Sequence, residues 1–255
     1  MLKMQGEGPM RKLENRIAIV TGASQGIGKA IALAFGQQGA KVVVTARTTD
    51  AIEAVANQLR EIGTEALAIT ADLSVETDIR RIAEETVKRF GGTDILVNNA
   101  AIIHPRLDLV DFNANLWRQV IDVNLIAPAL LTKAVLPSMI NNRFGMILNI
   151  SSIGGRKGSK GRSAYRATKA GLISLTESVA AEVKPYGVDV NCICPGGVDT
   201  EGFREAFDSQ GREQDPKLMR PEEIAELAVF MASDASSAIT GAAIDAFGGT
   251  NPLFS

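Results

Sequence analysis

Ile17-Ala18-Ile19-Val20-Thr21-Gly22-Ala23-Ser24-Gln25-Gly26-Ile27-Gly28 is the stretch that decides the fold. Its first four residues are a short apolar run with β-branched members, which predicts a buried strand. Gly22, Gly26 and Gly28 follow at once, and a helical pattern runs from Gly28 to Gln38. Alone, such glycines are a plain turn; between a strand and a helix they predict a nucleotide seat. Glycine lets the backbone approach a pyrophosphate closely. The helix N-terminus adds unpaired N–H groups and partial positive charge. Gly22, Ser24, Gln25, Gly26, Ile27 and Gly28 are therefore candidate cofactor-binding residues.

Outward from this turn, short apolar runs alternate with helical patterns. Strands are predicted at 41–45, 66–70, 95–97, 146–150, 188–194 and 243–246. Helices are predicted at 50–62, 75–90, 163–183 and 221–232, with one long helix at 116–141 kinked at Pro128 and Pro137. Alternation of this kind predicts an α/β, doubly wound Rossmann-type domain, a seven-stranded parallel sheet with helices on both faces. No repeat, low-complexity tract or linker divides it. Residues 1–14 read as a flexible extension, and 15–255 as a single domain.

Composition narrows the function classes. The chain has 255 residues, 45% hydrophobic and 22% charged, and a net charge of −2. It is long enough for a sizeable core, and its charge points to neither nucleic acid nor an anionic membrane. No apolar run approaches the ~20 residues of a membrane span. Cys192 and Cys194 sit two apart on a predicted strand; with His104 the only histidine, a metal would lack ligands. Two buried thiols in a reduced, cytoplasmic protein are expected, and no metal.

Two further features carry chemistry. The second strand ends Val44-Thr45-Ala46-Arg47, with no acid where a ribose 2′-hydroxyl would need one. Arg47 suits a 2′-phosphate, so NADP(H) is the expected cofactor and NAD(H) the alternative. Tyr165 and Lys169 are four apart on a predicted helix and share a face. A lysine cation nearby favours the phenolate and is expected to lower the tyrosine pKa, giving a proton donor and acceptor for carbonyl reduction or alcohol oxidation.

In this light the chain resembles the short-chain dehydrogenase/reductase family from about Asn15 to Gly249. The resemblance rests on Thr21-x-x-x-Gly26-x-Gly28, Asp72, Asn98-Asn99-Ala100, Asn124, Ser152, Tyr165-x-x-x-Lys169 and Pro195-Gly196, in that order. It implies a nicotinamide cofactor and assembly into dimers or tetramers through the helices near 116–141 and 163–183. It implies that Asp72 and Leu73 contact adenine and that Asn99 and Ala100 close a strand against the cofactor. Pro195, Gly196 and Val198 would line the nicotinamide end, where Thr200 would orient the amide. The implied catalytic set is Asn124, which holds a helix distortion and a water, with Ser152, Tyr165 and Lys169. Ser152 would bind the substrate oxygen. Lys169 would bind the ribose and tune Tyr165.

Specificity is expected in loops 102–115, 153–163 and 198–220. The second carries Arg156, Lys157, Lys160 and Arg162, with Arg166 just beyond, on a stretch that Gly154, Gly155, Gly158 and Gly161 are expected to keep mobile. Such a patch suits an anionic substrate or a carrier-bound acyl group, or is a solvated loop; Arg143 is a further candidate member. The third loop reads as a lid, with Phe203 and Phe207 facing the pocket or the protein body, and ordering near Gly211 on cofactor binding. His104 is expected to be a loop histidine and Trp117 a packing residue. Carbonyl reduction, for which 3-oxoacyl-carrier-protein reduction is a precedent, leads. Oxidation of a secondary alcohol, sugar or polyol is the alternative, and a non-catalytic NADP-binding regulator stands behind both.

Overall fold

The computed structural model describes residues 11–206 and 217–251. Its strands are β1 (Ile17–Thr21), β2 (Lys41–Ala46), β3 (Ala66–Thr70), β4 (Ile95–Asn98), β5 (Gly145–Ile150), β6 (Val188–Pro195) and β7 (Ala243–Ala246). They form one seven-stranded sheet in the order β3-β2-β1-β4-β5-β6-β7, every neighbour parallel. The central strands are apolar on both faces because helices cover both. The strand order reverses between β1 and β4, so a crevice opens at their carboxyl ends.

Helices α1 (Gly26–Gln37), α2 (Thr49–Glu61) and α3 (Glu76–Phe90) follow the first three strands. In α2, Ile52, Val55, Ala56 and Leu59 recur at helical spacing and are buried. Helix α3 places Glu76 and Asp78 in its first turn and Lys88 and Arg89 in its last, each matching the helix dipole. Later come α4 (Ala114–Ile121), α5 (Ala127–Asn142), α6 (Ser163–Val183), α7 (Glu201–Ala206) and α8 (Pro221–Met231). Two cores result. Ile31, Phe35, Leu59, Ile224 and Ala228 pack on one face of the sheet, and Ile79, Ile82, Leu131, Val135 and Met139 on the other.

Three expectations need correction. The break in the long helix falls at neither proline. A π-turn at Asp122–Ile126 joins α4 to α5, and the Ala127 N–H bonds to the Asp122 carbonyl five residues back. Pro128 sits in the first turn of α5, where a missing N–H is cheap, and Pro137 is carried inside the helix without ending it. Residues 1–10 lie outside the described residues, and Leu13, inside the expected extension, is part of the packed fold. Leu13 is fully buried among the α1 and α2 side chains, and its N–H donates to the Gln38 carbonyl at 3.0 Å. Finally, the 29-residue stretch 114–142 is long and apolar enough to cross a membrane by length and composition. Here α5 packs against α3 and the sheet, which accounts for its apolar face.

Candidate active site

The switch-point crevice is a cavity of about 480 Å³. Threonine and asparagine side chains hold its floor together. Thr21 Oγ1 donates to the Val97 carbonyl at 3.2 Å and accepts from the N–H groups of Asn99 and Ala100. Asn99 Nδ2 donates back to the carbonyls of Thr21 and Gly22, at 2.9 and 3.2 Å. The ends of β1 and β4 are thereby locked in register. Gly22 takes φ +63, and a Cβ there would stand 2.8 Å from Ala100 Cα, so only glycine fits.

The residues fit a dinucleotide. Gln25 precedes α1 without a side-chain cap, and the first turn of α1 holds no acid, so this helix end is suited to an anion. Thr45 Oγ1 is buried with no partner and lines the cavity beside Arg47, which is exposed and without an ion pair among the described residues. A Cβ on Gly26 would lie 3.1 Å from the Thr200 methyl carbon, so a side chain there would fill the space between α1 and the loop after β6. Ser24, Ile27, Asp72, Leu73, Ala100, Pro195, Gly196 and Val198 also line the cavity. Gly28 does not: its Cβ would meet the Gly22 carbonyl at 2.3 Å, so it serves close packing of the turn. Asp72 Oδ1 accepts from the Ser74 N–H and hydroxyl, and Thr200 Oγ1 accepts from the Phe203 N–H.

Ser152, Tyr165 and Lys169 meet at the other end of the cavity. Ser152 follows β5, and its Oγ accepts from the Gly154 N–H at 2.9 Å, which leaves its own proton for another acceptor. Ser151 is structural, donating to the Lys169 carbonyl at 2.8 Å. Lys169 is buried, donates to the Ile150 carbonyl at 2.7 Å and lies 5.6 Å from the centre of the Tyr165 ring. Burial lowers its pKa to about 8.

The tyrosine departs from expectation. Burial pushes the Tyr165 phenol up; Ser152, Arg162 and Arg166 pull the other way without winning. Those arginines, and not Lys169, supply the cationic pull. Sequence spacing shows Lys169 but not the through-space neighbours.

Asn124 stands in the π-turn and is buried. Its Oδ1 accepts from the Ile102 N–H at 2.7 Å; its Nδ2 donates to the Ile102 carbonyl at 3.1 Å and to Thr168 Oγ1 at 3.3 Å. It pins the loop after β4 to α6, one residue before Lys169. Asn98, Asn149 and Thr176 form a second buried amide chain, with Asn98 Nδ2 donating to Asn149 Oδ1 at 2.9 Å and Asn149 Nδ2 to Thr176 Oγ1 at 2.8 Å. Asn149 escapes sequence reading as a lone polar residue in an apolar strand, and Thr176 as one of many polar residues on α6.

His104 is no surface histidine: it is 1% exposed. Its Nε2 accepts from the Tyr165 N–H at 3.3 Å and its Nδ1 faces the Pro105 carbonyl at 2.6 Å, which fixes a neutral tautomer with hydrogen on Nδ1. Phe112 packs edge-on between His104 and Trp117. Within the loop 153–163, Gly155 is set by packing. A Cβ on Gly155 would stand 2.8 Å from the Lys169 carbonyl, so that glycine is packed against α6. Arg143 lies just before β5, at the amino ends of the strands and away from the crevice, donating to the Pro185 carbonyl. In the expected lid, α7 is held by Arg204 Nε on Asp199 Oδ1 at 2.7 Å, and Phe203 lines the cavity. Phe207 and Gly211 lie outside the described residues. Cys192 and Cys194 are buried free thiols; the hydrogen bond with Cys194 and then burial push the Cys192 thiol up, while Cys192 and Arg156 hold Cys194 below the ordinary range.

Comparison with known proteins agrees with this geometry. Residues 16–211 match the short chain dehydrogenase family model. The chain is 40% identical to a 3-oxoacyl-[acyl-carrier-protein] reductase of Vibrio cholerae, covering 93% of this chain and 98% of that one. It is 37% identical to a cis-4-hydroxycyclohexanecarboxylate dehydrogenase of Sinomonas cyclohexanicum, covering 92% and 96%. A short-chain type dehydrogenase/reductase from Mycobacterium marinum superposes with a TM-score of 0.88 at 32% identity, covering 95% and 98%. A parallel sheet with its nucleotide seat at the switch point, a serine–tyrosine–lysine cluster beside it and these matches lead to one assignment: the chain belongs to the short-chain dehydrogenase/reductase family, oxidoreductases of the alcohol–carbonyl couple.

Proposed function

We propose that the protein is an NADP(H)-dependent reductase of ketones or 3-oxoacyl groups, with Tyr165 as the acid. The convergence of Ser152 and Tyr165 on one cavity end, opposite a seat suited to a dinucleotide, carries this reading. Bound NADPH supplies the hydride. The Ser152 hydroxyl, which accepts from the Gly154 N–H and lies within hydrogen-bonding reach of Tyr165, donates its proton to the substrate carbonyl oxygen. As the carbonyl carbon gains hydride, that oxygen becomes an alkoxide and takes the phenol proton of Tyr165. Lys169 contributes positive charge below its pKa of about 8 and anchors through the Ile150 carbonyl. Asn124 keeps the loop and α6 in place.

Arg47 supports the choice of NADP(H). It stands at the carboxyl end of β2, beside the cavity and without an ion pair among the described residues, where a 2′-phosphate would give it a bidentate partner. Arg47→Ala is expected to raise KM for NADPH about tenfold or more and to leave KM for NADH within about twofold. Equal effects on both cofactors would sink the NADP(H) assignment. Homo-oligomeric assembly, as dimer or tetramer, is part of the same proposal; the apolar groove between α5 and α6, lined by Leu136, Ile140, Leu175 and Val179, supports it.

A further inference from the structure

Helix α6 carries Tyr165 in its first turn, and that turn has no cap of its own. Arg162, the residue before the helix, makes no side-chain bond to the helix N–H groups, and the first turn holds no acid. Arg162 is 3% exposed, and its guanidinium goes instead to the carbonyls of His104 and Ala206. Ser163 Oγ is buried without a partner among the described residues. Two further basic side chains of this loop turn elsewhere. Arg156 Nε donates to Asp245 Oδ1 at 2.8 Å, and Lys160 pairs with Asp108 at 3.3 Å. The helical ladder starts with the Arg166 N–H on the Arg162 carbonyl at 3.0 Å. The Tyr165 N–H, one residue earlier, therefore needs an acceptor from outside the helix.

His104 supplies it from 61 positions earlier in the chain, with Nε2 at 3.3 Å from the Tyr165 nitrogen. That is the bond an N-cap side chain ordinarily makes. The imidazole is itself fixed. Its Nδ1 meets the Pro105 carbonyl at 2.6 Å, and Phe112 packs edge-on with ring centres 4.7 Å apart. The loop is tied down on both sides of it. Asn124 binds the N–H and the carbonyl of Ile102, and the Leu107 N–H donates to the Gly161 carbonyl at 3.1 Å. The carbonyl of Tyr165 accepts from Thr168 Oγ1 at 2.7 Å, and Thr168 Oγ1 accepts in turn from Asn124. Both backbone polar groups of Tyr165 are thus bound by groups anchored to the loop after β4. The described cavity lining includes Ile102, Ile103 and Tyr165 but not His104. The histidine acts from behind the site.

We propose that His104 is a positioning residue: it caps α6 from outside the helix and, through the Tyr165 N–H, fixes where the phenol meets the substrate oxygen. The proposal deepens the reading above and rests on Tyr165 as the acid. Helix ends fray when their free N–H groups lack partners. A misplacement of about 1 Å at a reacting group can cost about a hundredfold in rate. The cap touches neither Ser152 nor the nucleotide seat, so its loss belongs in kcat and not in KM.

Two variants separate the acceptor from the ring. His104→Phe keeps an aromatic ring against Phe112 and removes the acceptor. His104→Gln loses the ring and keeps an oxygen that can accept from the Tyr165 N–H. With NADPH and a 3-oxoester, His104→Phe is expected to lower kcat about tenfold or more and leave both KM values within about twofold, and His104→Gln to recover most of kcat. An unchanged kcat in His104→Phe, a His104→Gln as slow as His104→Phe, or a loss confined to KM would overturn the proposal. A measurement on the unmodified chain decides even where a variant fails to fold. His104 is the only histidine, so the untagged full chain labelled with nitrogen-15 histidine gives the NMR signals of one imidazole. A neutral ring with hydrogen on Nδ1 and none on Nε2 is expected; hydrogen on Nε2 would overturn the cap. Failure of the acid reading is distinct: it shows as equal turnover in the unmodified protein and Tyr165→Phe, whatever the imidazole signal.

Discussion

Tyr165 is held in a state that favours donating a proton. Its phenol is pushed up by burial, and Lys169 beside it titrates at about 8. Carbonyl reduction needs the phenol and alcohol oxidation the phenolate. Loss of the Lys169 proton near 8 removes a positive charge that favours the phenolate, so oxidation should bend downward there while reduction continues until the phenol itself ionises at higher pH; rate profiles in the two directions check this. His104 supplies a second residue-scale prediction. Its folded pKa is held below the ordinary 6.5 by burial and by the charge of Arg162, and a protonated Nε2 would face the Tyr165 N–H donor to donor. Its contribution to stability is complete above about 6.5 and is lost as pH falls from there through the folded value. It is the chain's only histidine. His104→Gln should thus remove one acid-dependent component from a series of melting temperatures against pH, worth about 2–4 °C. Sequence alone exposes Tyr165 and Lys169 through their helical spacing. It leaves the burial of His104 and Arg162 unread, since that is decided by what folds over a polar loop residue.

At the scale of elements, the π-turn at Asp122–Ile126 is the local irregularity that matters. It turns Asn124 inward to bind both the N–H and the carbonyl of Ile102. Asn124→Leu keeps the volume and removes the hydrogen bonds, leaving buried backbone groups unsatisfied. A loss of about 2–4 kcal/mol is expected in denaturant titration, with a fall in kcat larger than any rise in KM. The strands were readable to within about a residue because each is a bounded apolar run between turn residues. The long helix was readable as helix but not as two helices and a π-turn. Its apolar positions continue through the irregularity, and the prolines drew attention to the wrong turn. The loop after Ser152 was legible as basic, but which cations face the cavity depends on Asp108 and Asp245, both remote in sequence.

On the scale of the whole molecule, a parallel sheet with helices on both faces brings one crevice to the carboxyl ends of β1 and β4, and the site occupies it. Alternating strands and helices made that architecture plain from the sequence. The N-terminal boundary was less plain: Leu13 looks like one apolar residue in a charged segment, yet it completes the core beneath α1. Leu13→Ala should cost about 2–5 kcal/mol in denaturant unfolding, where a mobile extension would cost nothing. Light scattering checks the assembly: a dimer or tetramer is expected and a monomer would contradict that proposal. The central claim is that this crevice reduces a carbonyl with NADPH and the Tyr165 proton. Its most direct test is the loss of NADPH absorbance over a panel of oxo acids and 3-oxoesters, measured side by side for the unmodified protein and Tyr165→Phe. The account predicts steady turnover that falls by about a hundredfold or more in the variant, while NADPH still binds within about threefold. Equal turnover in the two proteins would contradict it.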